Sequence, residues 1–127
     1  MPTIYVSRNG NSLQLKLRDS EGHNPGNDDL ITFVSPGDTV TWMLDPDGSN
    51  GLVSLNAVNK SVPGDASYDS NSVDLLVSGT TNNNGVYTGT VVPTSPGNGR
   101  YEKYKIGFMV PNSNQVYFDD PKLQMDA

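Results

Sequence analysis

The sequence contains no cysteine and only one histidine, His23. The first absence removes structural disulfides, thiolate metal sites and a cysteine nucleophile together. It leaves the compartment open, since reducing and oxidising locations both accept a Cys-free domain. Basic residues are also scarce. Eight Lys and Arg against fourteen Asp and Glu give a net charge of −6, and such a surface repels phosphate backbones, so nucleic acid and anionic membrane are set aside as partners. Apolar runs are short, and none approaches the ~20 residues of a membrane-spanning helix. The opening Met1-Pro2-Thr3-Ile4-Tyr5-Val6 runs straight into strand-like alternation, with no basic segment followed by an apolar one. That start carries no secretory signal, so a cytoplasmic location is expected, or secretion if a leader has been removed.

Turn formers and period-two alternation are what the chain does have. It carries 13 Gly and 9 Pro in 127 residues, the length of one domain. No linker or internal repeat divides it, so 1–127 is read as a single unit. Ile4 and Val6 alternate with Tyr5 and Ser7, and Leu13, Leu15 and Leu17 with Gln14 and Lys16. Between them Asn9-Gly10 predicts a tight hairpin turn, because this dipeptide tolerates positive φ. Residues 18–29 are polar and turn-rich and read as a loop. Strands are predicted at Leu30 to Val34, around Val40, Trp42 and Leu44, and over Leu52 to Val58. Further strands are predicted at Val73 to Val77, Val86 to Val92, Tyr101 to Met109, Val116 to Phe118 and Lys122 to Met125, with Thr80 to Gly85 as a polar turn. Short strands separated by turn signals predict an all-β, Greek-key two-sheet sandwich of seven to nine strands. Arg100, Lys103 and Lys105 read as a solvated strand face, since alternate strand residues point outward.

Two stretches carry a family resemblance. Ile31-Thr32-Phe33-Val34-Ser35-Pro36-Gly37-Asp38-Thr39-Val40-Thr41-Trp42 resembles the cupredoxin strand, Pro-Gly-Asp turn and Val-x-Trp strand. Tyr87-Thr88-Gly89-Thr90-Val91 and, after a Pro/Gly turn, Gly99 to Ile106 are similar to the segment that leads a cupredoxin into its copper-binding loop. The resemblance implies a cupredoxin-like or immunoglobulin-like sandwich. It does not carry copper with it. The family's loop histidine would fall in Asp45 to Gly51 and its cysteine near Ile106, and neither is there. A type 1 site needs two imidazoles and a thiolate, so electron transfer is not implied, and no cofactor is expected beyond a calcium candidate.

That candidate lies in the acidic loops. Asp45-Pro46-Asp47-Gly48-Ser49-Asn50-Gly51 offers oxygen donors at Asp45, Asp47 and Ser49, as a calcium loop begins. The EF-hand pattern then wants Gly at its sixth position and Glu at its twelfth, where this chain has Asn50 and Asn56. Asn27-Asp28-Asp29 and Asp119-Asp120 offer further carboxylates. His23 reads as an exposed loop residue, and no nucleophile motif accompanies it. Tyr5, Tyr87, Tyr101 and Tyr117 stand at strand positions read as outward-facing, where aromatic rings stack on sugars or anchor protein interfaces. The sequence therefore predicts a non-catalytic binding or assembly module acting through a sheet face or edge. Its partner is expected to be another protein or a second copy of itself in a homodimer. The alternatives are a glycan-binding module with exposed Tyr and a loop calcium site, and a small hydrolase using loop carboxylates.

Overall fold

In the computed structural model, which describes residues 1–48, 51–66 and 68–126, ten strands form two five-stranded sheets. Among the described residues there is no helix, and neither sheet closes into a barrel. The first sheet holds β1 (Thr3–Arg8), β2 (Leu15–Asp19), β4 (Thr39–Leu44), β6 (Leu76–Asn83) and β7 (Val86–Val91), in the order β2-β1-β4-β7-β6. The second holds β3 (Ile31–Val34), β5 (Ser54–Lys60), β8 (Tyr101–Met109), β9 (Tyr117–Asp119) and β10 (Lys122–Met125). Its order is β3-β10-β8-β5, with β9 on the far half of β8. Two pairs are parallel, β1 with β4 and β3 with β10; the others are antiparallel.

Alternation explains which faces meet. Ile4, Val6, Val40 and Trp42 from the first sheet, and Tyr104, Ile106, Phe108 and Leu123 from the second, are buried between the layers. At the centre Trp42 Nε1–H donates to Tyr104 Oη at 3.0 Å, with ring centroids 5.5 Å apart at 71°. The edge-to-face contact pins one sheet to the other, and the hydrogen bond satisfies a buried indole donor. Burial pushes the Tyr104 phenol far above its usual pKa.

Two turn expectations exchange places. The β1–β2 hairpin is present, but its connection is longer than two residues: the Asn9 N–H reaches Gln14 O, and Arg8 clasps the carbonyls of Asn11 and Ser12. Leu13 lies outside β2 and is exposed. The tight Asn-Gly turn is Asn84-Gly85, both at positive φ, between the paired Asn83 and Val86. Accordingly β6 runs through Thr80–Asn83, which the sequence marks as a turn. A bulge between Val77 and Thr81 carries the polar stretch, with Ser78 and Gly79 at positive φ.

The edges are treated unequally. In β2 the outward amides of Leu15, Leu17 and Asp19 donate to Asp119 Oδ2 (2.9 Å), Asn27 O (3.0 Å) and His23 O (3.0 Å). In β3 the Phe33 amide donates to Glu21 Oε1 at 3.0 Å, and just beyond it Ser35 donates to Asp38 Oδ2 at 3.0 Å. Loop 20–30, which joins β2 to β3, therefore covers one side of the sandwich. On the other side β5 and β6 are each interrupted by a bulge.

Candidate functional site

Parity in the strands decides where each aromatic residue points. β7 turns Tyr87, Gly89 and Val91 inward, so Tyr87 is 6% exposed and belongs to the core. This corrects its reading as an outward residue; its spacing from Val91 carried the signal. Tyr117 lies opposite Phe108 and packs on it with ring centroids 6.1 Å apart, also turned toward the core. Tyr5 faces outward beneath the Arg18 guanidinium, 4.2 Å from the ring centroid. Tyr101, on the outer face of the other sheet, donates its hydroxyl to Asp69 and lies under Lys122 Nζ at 4.4 Å. The four tyrosines share no face, so they form no common platform.

The acidic candidates also separate. Asp45 receives Arg18 Nε at 2.7 Å and Nη2 at 2.9 Å, with Asp47 3.3 Å from Nη2. The guanidinium holds the Asp45 carboxyl below the usual carboxylate range, so this loop already has its cation. Ser49 lies outside the described residues. Asp119 and Asp120 sit at the β9–β10 corner, far from that loop in sequence, where Asp28 of loop 20–30 joins them with carboxyl oxygens within 4.8 Å of one another. Asp119 is buried, and its oxygens accept the amides of Leu15 (2.9 Å) and Asp120 (3.2 Å). Burial, reinforced by the carboxyl of Asp28, pushes Asp119 up to about 7. Two carboxyl groups this close cannot both ionise cheaply.

His23 is not a free loop residue. Its Nδ1 lies 2.8 Å from Oδ2 of Asp19, whose side chain is 0% exposed and also accepts the amides of Glu21 and His23 and the Thr32 hydroxyl. The contact ties the imidazole to the Asp19 carboxyl and so braces the loop.

Around these groups runs a groove that sequence reading missed. A depression of about 430 Å³ beside His23, Ile31 and Phe33 shares Asp29, Leu30 and Ile31 with a second of about 280 Å³. That one shares Asp120 with a third of about 340 Å³, bounded by Asp65, Lys105 and Phe118. The three depressions adjoin one another beside β3, β8, β9 and β10. Phe33 (36% exposed) stands at one end and Phe118 (53% exposed) at the other. Phe118 rests over Gly107, where an added Cβ would come within 2.9 Å of its ring. Lys105 pairs with Asp65 at 3.2 Å and lies 5.1 Å from the Phe118 centroid. The available signal was parity: Phe118 must face opposite to Tyr117. A smaller cavity of about 230 Å³ separates β5 from β6. Its buried acid, Glu102, is taken by the Leu75 amide at 2.7 Å, and burial raises its pKa.

The chain matches no protein-family model and no curated protein.

Proposed function

We propose that this protein is a non-catalytic binding module on a copper-free, cupredoxin-like scaffold, and that it holds an extended peptide segment of a partner protein in the groove from Phe33 to Phe118. The observation that carries this reading is a row of three adjoining depressions that share lining residues and lie between two exposed aromatic side chains. Apolar anchors at both ends with polar groups between them suit a peptide, whose alternate side chains fill pockets while its backbone meets hydrogen-bonding groups. A sugar-stacking surface has less support, because the tyrosines do not share a face. The copper-free assignment rests on one imidazole and no thiolate. The non-catalytic assignment is supported by the side chains themselves: the imidazole is tied to Asp19 and the corner carboxyls to each other. Amide caps on β2 and β3 and bulges in β5 and β6 favour a partner on a face over strand-to-strand pairing of copies.

The test is to pan a displayed library of random linear peptides against the protein and against its Phe118→Asp variant. Enriched peptides are expected to carry apolar residues at both ends and to bind the variant at least about tenfold more weakly, a loss of ~1.4 kcal/mol. Equal binding to both proteins, or no enrichment, would sink the proposal.

A further inference from the structure

Alternation on β8 turns Glu102 inward, in the same row as Tyr104, Ile106 and Phe108. A carboxylic acid therefore stands on the core face of the second sheet, opposite the fully buried Leu123 of β10. An acid is costly at such a position unless it meets partners. Glu102 Oε1 accepts the Leu75 amide at 2.7 Å, and the Leu76 amide lies close enough to favour the charged form. A carboxylate has about four acceptor positions, so two amides leave it partly unfilled. Among the described residues no cation pairs with it. Lys60, the base lining the same cavity, reaches Asp74 instead, at 2.9 Å.

The cavity itself lies where the edges of the two sheets, β5 and β6, face each other. The bulge in β6 makes the room. Pairing with β7 lapses between Val77 and Thr81, and Ser78 and Gly79 take positive φ, at 59° and 70°. Positive φ is uncommon for serine, and the surrounding structure has to impose it. Just past these two residues the Thr80 hydroxyl donates to Val58 O at 2.7 Å and ties the edges together. The Asp74 side chain is 76% exposed, whereas Glu102 and Tyr104 are buried. The opening is therefore at the Lys60–Asp74 pair and the acid at the inner end, with Val58, Leu76 and Tyr104 as apolar wall. A dry cavity of about 150 Å³ takes benzene. One of about 230 Å³ has room for a ring with a short charged arm.

We propose that this cavity binds a small primary amine, with its ammonium on Glu102 and its apolar body against Val58 and Leu76. Charge decides the class. An anion would meet two acids, Glu102 and Asp74, and one base. A neutral ligand would leave the buried carboxyl without a counter-charge. Burial raises the Glu102 pKa, and a cation beside it would act in the opposite sense. The cavity shares no lining residue with the groove from Phe33 to Phe118, so the inference stands whatever that groove binds.

The experiment follows the amide chemical shifts of the full chain during titration with benzylammonium, and separately with benzyl alcohol, which has the same shape without the charge. Benzylammonium is expected to give saturable shifts at Leu75, Leu76, Thr80 and Glu102. Benzyl alcohol should bind at least about tenfold more weakly, because it leaves the carboxyl without its counter-charge. In Glu102→Gln, which still offers Leu75 an oxygen, benzylammonium should lose a similar factor. Equal binding of the two compounds would overturn the proposal, as would undiminished benzylammonium binding to a folded Glu102→Gln. Shifts confined to exposed acids such as Asp74, or no shifts, would overturn it too. If Glu102→Gln does not fold, the two compounds compared on the wild type still decide.

Discussion

Among the described residues four acids are buried, Asp19, Asp45, Glu102 and Asp119, and each accepts at least one backbone amide. They serve as caps on a fold with many exposed strand ends. Their charge states differ because their neighbours differ. Arg18 keeps Asp45 ionised, whereas desolvation raises Glu102 and Asp119. The consequence for stability has an unusual sign. In the unfolded chain Glu102 and Asp119 release their protons near 4.5 and 3.8. In the folded protein they hold them to higher pH, Asp119 to about 7. Between those limits the folded state binds more protons, so stability falls as pH rises and levels off above the folded values. The Asp45 contribution, present above its unfolded value, is lost only in stronger acid. The urea midpoint is therefore expected to be lower at pH 8 than at pH 5.5, and the double variant Glu102→Gln with Asp119→Asn should flatten the difference. A midpoint that rises over this range would contradict the assignment.

At the level of strands, the alternation in the sequence was sufficient to locate most elements and the inward sets Val40/Trp42 and Tyr104/Ile106/Phe108. It was less reliable at the turns, because Asn-Gly occurs four times, at 9–10, 50–51, 84–85 and 98–99, and only the local pairing tells which copy closes tightly. Parity slips cost more, since shifting a strand assignment by one residue exchanges its faces. Tyr117 and Phe118 are the clearest case: the sequence reading selected the wrong one of the two. Edge protection was not legible at all, because Glu21 caps Phe33 from a loop twelve residues away. Its removal can be tested. Glu21→Ala frees an edge amide on a strand that already exposes Ile31 and Phe33, so light scattering should show faster aggregation on mild heating than in the wild type. Unchanged aggregation would mean that the cap does not protect this edge.

For the whole molecule, alternation and turn signals were enough to indicate an all-β two-sheet sandwich. The sheet order was not readable, because alternation does not encode which strand is whose neighbour; the parallel pairs β1–β4 and β3–β10 are the plainest examples. The proposed binding surface was legible in part. Asp28, Asp119 and Asp120 were singled out as carboxylates, yet their meeting, and the placing of Phe33 and Phe118 beside them, comes only when distant segments pack. If that surface is the rim groove, amide chemical shifts recorded while titrating a peptide enriched from the displayed library should change at Ile31, Phe33, Asp120 and Phe118, with β5 and β6 silent. Changes centred on β5 and β6, or none at saturating peptide, would contradict it.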